Sequence, residues 1–248
     1  MIEEFNNYIK AYDINDKKIK LKYDHSFRVM ERSGELARKL DLSVSDVELA
    51  KLIGLLHDFG RFEQQKIYKT FDDHLSIDHA NYSVDILFEN NEIRKYITDS
   101  KYDNIIKAAI KNHNKFSIEE GLNNIEKLHA KIIRDADKMD ILYAIAYPRT
   151  INIKDTEEDI SKEVLEEFNN KTTITIPNVK NSNDKILMYL ALIYDINYIY
   201  SIEYIMDNKI LEKIFNRINN KEKFKKYFTC INEYMAEIYE RGEIYVKH

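Results

Sequence analysis

The sequence has few of the residues that interrupt or cross-link a fold. Its 248 residues include only 5 glycines and 2 prolines, and there is no tryptophan. Proteins built mainly from strands need more turn residues than this, so the scarcity favours a mostly helical fold. A single cysteine, Cys230, excludes an intramolecular disulfide and is typical of a reducing compartment.

An excess of positive charge and a long hydrophobic run are also missing. The formal net charge is -5, so a nucleic-acid duplex is not an expected partner, although a local basic pocket stays open. The N-terminal stretch MIEEFNNYIK shows no basic region followed by an apolar one, so we expect no secretory signal. The most apolar segment, 186–202, contains Asp195, and a central acid costs roughly 2.5–3.5 kcal/mol in a bilayer. We therefore expect a buried core helix there, no membrane association and a cytoplasmic protein.

The residues that are present supply a sizeable core, since 44% are hydrophobic and 12% aromatic. Apolar periodicity predicts helices over about 24–40, 76–89, 103–113 and 128–147, the last stopped by Pro148, and more helices from 184 onward. Another helix is predicted from a capping box at Ser45 and Glu48 to a C-terminal cap at Gly60. Residues 61–75 are interpreted as an irregular polar loop.

The expected organisation is a single domain over 1–248. Its helical core covers 20–147, and the helices of 184–248 are expected to pack on that core. Residues 150–182 are interpreted as a surface excursion, in which KTTITIP is a candidate short strand or hairpin arm.

One apolar helical run, in KLIGLLHDFGRFEQ at 51–64, ends in the adjacent polar residues His57 and Asp58. Burying an imidazole and a carboxylate costs free energy unless something satisfies both, and a metal ion would do so. Other polar side chains also lie on apolar helix faces: His25, His79, His113 and Asp137.

Each of these residues has an ordinary explanation when taken alone. A histidine on an apolar face is more often a hydrogen-bonded core residue than a ligand, and the acids of RDADKMD could pair with Arg134 and Lys138 on a solvated face. Taken together, inward-facing histidines and acids on successive helices indicate the ligands of a metal site inside a helical bundle.

The order His25, then His57–Asp58, then Asp137 resembles the HD superfamily of metal-dependent phosphohydrolases. HSFRV, LLHDFGRFEQ, SIDHANYS and RDADKMD match its local patterns over roughly residues 20–147. The resemblance implies an all-α bundle in which a first metal is held by His25, His57, Asp58 and Asp137. A second would be held by Asp58, His79 and His113. Asp135 stays open as an alternative to Asp137.

The resemblance also implies a reaction: a metal-activated water cleaves a phosphoester of a nucleotide or another small phosphorylated metabolite. Asp58 would bridge the metals and orient the water, while Arg61 and Lys115 would bind phosphate oxygens. Imidazole and carboxylate ligands suit Mn, Fe, Co, Ni or Zn better than Mg alone. Whether one or two ions bind stays open; with one, His79 and His113 would be phosphate donors or a general acid.

Two other functions remain alternatives at this point. One is a catalytically silent module that senses a nucleotide; the presence of the His57–Asp58 pair argues against it. The other is an HD-fold di-iron oxygenase, against which the phosphate-clamping role of Arg61 argues. The tyrosine-rich C-terminal helices could bury their aromatic faces internally or in a homodimer.

Overall fold

The computed structural model describes residues 1–147, 151 and 153–242. Over these residues the chain is helical and contains no strand, which confirms the predicted all-α class. Its helices are α1 (Ile2–Ile9), α2 (Lys17–Lys39), α3 (Val44–Leu56), α4 (Phe59–Tyr68), α5 (His79–Glu89), α6 (Asp103–Asn112), α7 (Asn124–Ala146), α8 (Lys162–Asn169), α9 (Ser182–Ala191), α10 (Ile199–Asp207), α11 (Ile210–Asn216) and α12 (Lys221–Arg241). The predicted stop at Pro148 lies outside the described residues.

The chain forms two compact units, Met1–Asp137 and Lys138–His248. All six predicted metal-ligating residues belong to the first unit. The expectation of a single domain, with the C-terminal helices packed on the core, stays a prediction.

In the first unit, α2 and α3 pack closely because one glycine lies at their contact. A Cβ on Gly54 would come within 2.9 Å of the Met30 Cα and the Val29 carbonyl oxygen. These are backbone atoms of α2, so a larger residue would push the two helices apart. The contact positions His25, on α2, near His57, which follows α3.

The start of α3 differs from the prediction by two residues. Ser43 is the N-cap, and its Oγ accepts a hydrogen bond from the Asp46 backbone N–H at 3.2 Å. The predicted capping residue, Ser45, lies inside the first turn, so the expected capping box with Glu48 is wrong. Serine recurs at both positions, and the pattern alone does not say which of them begins the helix.

Residues 61–68, predicted as irregular, are part of α4, so that expectation is wrong. Gly60 is not a C-terminal cap but lies in the first turn of α4. Two inward-facing positions of this helix are glutamines, Gln64 and Gln65, which are buried with Phe62. Buried polar side chains hide the apolar periodicity from which a helix is recognised.

The second unit has its own core around Phe168, Leu187 and Phe224. The predicted strand in KTTITIP is not found in the described part of this unit. Residues 172–175 are irregular and Ile176–Asn178 form a 3₁₀ turn. The Thr175 backbone N–H and hydroxyl both donate to the Glu167 carboxylate, so this segment uses a side chain as acceptor where a strand would use a neighbour.

The apolar segment 186–202 is not one continuous helix. It comprises the end of α9, a 3₁₀ turn over Leu192–Asp195 and the start of α10. Asp195 Oδ2 lies 2.8 Å from Lys138 Nζ. No helix in the described part of the chain is long and apolar enough to cross a bilayer.

Candidate metal centre

The corner between α3 and α4 presents two polar side chains to the interior. His57 ends α3 with helical backbone angles, whereas Asp58 has φ -102° and ψ 22°, and α4 begins at the next residue. Both are almost fully buried, His57 at 0% and Asp58 at 2% exposure. Two helices that meet at such a tight corner direct both side chains inward, which explains why the apolar run of α3 ends in a polar pair.

Hydrogen bonds at Nδ1 fix the tautomers of three histidines. His57 Nδ1 lies 2.8 Å from the Gly54 carbonyl oxygen, and His113 Nδ1 lies 2.7 Å from that of Ile110. A carbonyl only accepts, so in both rings Nδ1 carries the proton and Nε2 has a free lone pair. His79 Nδ1 lies 2.5 Å from Asp73 Oδ2, which assigns its ring in the same way.

The Nε2 atoms of these three rings and of His25 form two close pairs. His79 Nε2 and His113 Nε2 are 3.0 Å apart, and His25 Nε2 and His57 Nε2 are 3.2 Å apart. Two lone pairs at such a distance repel unless a cation lies near both. The close approach of His79 Nε2 and His113 Nε2 therefore fits a metal ion bound between them.

The Asp58 carboxylate lies between the two histidine pairs. Its Oδ2 is 3.5 Å from His25 Nε2 and 3.4 Å from His57 Nε2. Its Oδ1 is 3.3 Å from His79 Nε2 and 3.7 Å from that of His113. Oδ1 is buried and accepts no hydrogen bond, a costly state that a metal ion would relieve. One carboxylate thus offers an oxygen to each of two candidate ligand groups.

Asp137 belongs to the first group of candidate ligands, together with His25, His57 and Asp58. Its Oδ1 lies 3.1 Å from His25 Nε2 and 3.7 Å from His57 Nε2. Asp135, the alternative from sequence, is buried but belongs to none of the groups of potential ligand atoms found among the described residues. Both acids are on α7, two positions apart. A rotation of about 200° around the helix axis separates their side chains, so they point to nearly opposite sides of α7.

The electrostatics favour a charged carboxylate on Asp58 and a neutral imidazole on His79. Burial alone would raise the pKa of Asp58, but the Lys22 ammonium on its Oδ2 holds it well below its usual range. Burial, with Arg61, lowers the pKa of His79 to about 4, although Asp73 opposes the shift. Charged carboxylates and neutral imidazoles are the forms that bind metal.

Comparison with known families agrees with this geometry. The family description "HD domain" matches residues 23–142. This chain is an HD-domain protein. No curated protein and no solved structure matches the chain. The HD superfamily consists of metal-dependent hydrolases that usually bind divalent metals, and the described His and Asp groups could hold such ions.

The two predicted phosphate-binding residues of this HD domain, Arg61 and Lys115, already have partners within the protein. Arg61 Nη1 already donates to Gln64, to the Phe71 carbonyl and to Asp73, at 2.6–2.8 Å. Arg61 Nε is buried without a hydrogen-bond partner and lies 3.6 Å from Asp58 Oδ1. Lys115 pairs with Asp78 and is 39% exposed at its side chain.

Two residues of this site were missed from sequence. Lys22 donates to Asp58 Oδ2, and Asp73 links His79 to Arg61. Lys22 precedes His25 by three residues, a spacing that puts both on one helix face, so its position was detectable. Asp73 is in a loop and comes near His79 only through the fold, so no periodic signal indicates it. Of the other three histidines, His248 lies outside the described residues. His74, which is exposed, and His129, which is buried, belong to none of the groups of potential ligands.

Proposed function

We propose that this HD-domain protein is a metal-dependent phosphohydrolase that acts on a nucleotide or another small phosphorylated metabolite. The observation that supports this most strongly is the carboxylate of Asp58, whose two oxygens face different histidine pairs. An acid in that position suits two cations a few ångströms apart, an arrangement common in enzymes that cleave phosphoesters.

In this proposal, the first ion is held by His25, His57, Asp58 and Asp137, and the second by Asp58, His79 and His113. Bound divalent cations lower the pKa of a coordinated water toward neutrality and offset the charge of phosphoryl oxygens. The imidazole and carboxylate donors favour Mn, Fe, Co, Ni or Zn over Mg alone.

The surrounding residues keep these donors ready for use. The Gly54 and Ile110 carbonyls hold the lone pairs of His57 and His113 toward the site, and Asp73 does the same for His79. Such outer contacts raise the basicity of a ligand and fix its orientation. No reorientation of these rings is then needed to bind the ions.

Arg61 is positioned to supply positive charge beside Asp58. Its Nη1 is held by three acceptors, which fixes the guanidinium, while its buried Nε has no partner. We assign Nε, rather than a two-pronged clamp, as the donor to a phosphoryl oxygen. Lys115, which is paired with Asp78, would contribute longer-range charge.

The test is turnover of a panel of phosphomonoesters and phosphodiesters by the Mn²⁺-loaded protein, with bound metal measured in the same samples. We expect release of phosphate, or of the leaving alcohol, from at least one ester class, and loss of this release in EDTA. Protein that binds Mn²⁺ through these residues but cleaves none of the esters would contradict the proposal.

A further inference from the structure

Three cationic side chains surround one aromatic ring beside the candidate metal centre. Lys18 Nζ, Lys22 Nζ and the Arg61 guanidinium lie 5.9, 5.8 and 5.6 Å from the centre of the Phe71 ring. Distances of about 6 Å are at the outer limit of cation–π attraction, so the ring offsets little of this charge. In a chain with a net charge of -5, three cations gathered at one ring attract anions, although Lys22 and Arg61 also pair with Asp58 and Asp73.

Lys22 is the one of these three cations that reaches furthest into the site. It is on α2, one turn before His25, and its side chain is 18% exposed. Its Nζ donates to Asp58 Oδ2, the same oxygen that lies 3.5 Å from His25 Nε2 and 3.4 Å from His57 Nε2. The ammonium is therefore directed at the oxygen that belongs to the first candidate ligand group.

We infer that Lys22 is a substrate-binding residue, which binds the phosphoryl group beside the first ligand group; this rests on the proposed function. A divalent cation held by His25 and His57 would also draw on Asp58 Oδ2, and it would repel a lysine on the same oxygen. The phosphoryl group of a substrate offers the ammonium a new anionic partner within its reach. Lys18 and Arg61 add to the positive potential at that position. Lys18 Nζ is held by the Lys69 carbonyl oxygen, and the unpartnered Nε of Arg61 lies nearer the other oxygen, 3.6 Å from Asp58 Oδ1.

This role predicts two effects of opposite sign when the charge is removed. The Lys22→Met variant should bind inorganic phosphate about 10- to 100-fold more weakly, because one charge-assisted hydrogen bond is lost. The same variant should bind Mn²⁺ at least as tightly as the wild type, because a competing cation is removed from Asp58. A merely structural role would weaken both kinds of binding.

The experiment measures the affinity for Mn²⁺, and then for inorganic phosphate on the Mn²⁺-loaded protein, by calorimetry. Lys20→Met is the matched control, because Lys20 is on the same helix but pairs with Asp24 at the surface. It should leave both affinities unchanged. Lys22→Arg keeps the charge and should retain most of the phosphate affinity, which also covers the case in which Lys22→Met does not fold.

The outcomes separate this inference from the proposed function. If the wild type cleaves phosphoesters but Lys22→Met binds phosphate as tightly as the wild type does, the inference is wrong and the function stands. A loss of Mn²⁺ affinity in Lys22→Met, with its circular dichroism unchanged, would also overturn it, because Lys22 would then position the metal ligands. If no ester is cleaved but phosphate binding depends on Lys22, the proposed hydrolase activity is what fails.

Discussion

At the scale of single residues, the arrangement around Asp58 decides what the centre can hold. A carboxylate with one oxygen 3.4 Å from His57 Nε2 and the other 3.3 Å from His79 Nε2 connects two groups of donors that α2, α3, α5 and α6 supply separately. Lys22 on Asp58 Oδ2 and Arg61 near Oδ1 keep that carboxylate charged. Removing its charge should therefore affect both groups at once.

Asp58→Asn should lower the affinity for divalent metal by roughly 100-fold or more, above the range typical of changes in outer-shell groups. The amide keeps the size of the side chain but offers only one oxygen and no charge. Bound metal after dialysis, together with helical content from circular dichroism, measures the effect. Asp24→Asn, on an exposed acid, is the control and should retain its metal. If Asp58→Asn keeps metal at the wild-type level, the bridging role is wrong.

Asp73 acts on the centre through His79. Its Oδ2 accepts from His79 Nδ1 and its Oδ1 accepts from Arg61 and Gln64. Asp73→Ala should weaken metal binding about 10- to 100-fold, because the imidazole loses the partner that fixes its tautomer and orientation. Isothermal titration with Mn²⁺ measures this, and Asp72→Ala, on the adjacent exposed acid, should change it little. If Asp73→Ala and the wild type bind Mn²⁺ equally tightly, Asp73 does not support metal binding through His79.

The candidate ligands could be found from sequence because each lies on a regular helix face or beside one. His113 follows Ile106 and Ile110 at helical spacing, and Asp137 follows Ile133. The contacts of Asp73 with His79, and of Arg61 with the 71–73 loop, could not be predicted from sequence. They depend on the path of a loop without periodicity, and no local pattern encodes that path.

At the scale of elements, two close helix contacts depend on glycine. A Cβ on Gly60 of α4 would lie 2.9 Å from both the His79 carbonyl oxygen and the Ser83 backbone nitrogen of α5. The Gly60 N–H also donates to the side-chain Oγ of Ser83 at 2.8 Å, which holds the two helices at this close approach. The sequence pattern suggests a helix cap for this glycine, since a glycine after an apolar run is typical of one. Only the position of α5 shows that its role is close packing.

Gly60→Ala should reduce the free energy of unfolding by about 1–3 kcal/mol, because the new methyl group meets backbone that cannot rotate away. Gly34→Ala is the matched control. Its Cβ would lie 2.6 Å from Lys51 Cγ, so that side chain must change its rotamer, but no backbone atom blocks the methyl group. Alanine also favours a helix over glycine by up to about 1 kcal/mol. Urea unfolding in EDTA compares the two without a contribution from metal. If Gly60→Ala is as stable as Gly34→Ala, then the close contact between α4 and α5 does not require a glycine at position 60.

At the scale of the whole molecule, the chain forms two units, and buried acids serve different purposes in them. In Met1–Asp137 the buried Asp58 is directed at imidazole lone pairs and accepts no hydrogen bond at Oδ1. In Lys138–His248 the buried Asp184 is surrounded by donors: the Ser161 N–H and hydroxyl, both at 2.7 Å, and the N–H groups of Lys180 and Asn181. Sequence alone separates these two kinds of acid only in part. The capping box that joins Asn181 and Asp184 is a local pattern, but the Ser161 donors come from 23 residues away and no pattern indicates them.

This difference predicts how stability depends on pH. Burial raises the pKa of Asp184, but the hydrogen bonds from Ser161, Lys180 and Asn181 outweigh it, so the folded pKa lies below the usual 3.8. The unfolded chain therefore binds this proton more readily than the folded one. The stabilisation is complete above about pH 4 and is lost as the pH falls through the folded pKa.

Asp184→Asn should lower the free energy of unfolding by about 3 kcal/mol at pH 7, because charge-assisted hydrogen bonds are lost and an NH₂ group faces donors. The difference from the wild type should shrink as the pH falls below about 4, where the wild-type acid becomes protonated. Urea unfolding at pH 7 and at several values below pH 4 measures this, with the exposed Asp159→Asn as control. Metal content should stay at the wild-type level, because Asp184 belongs to none of the potential ligand groups in the described chain. A stability difference that is the same at every pH would show that the charge of Asp184 contributes nothing and that only its shape matters.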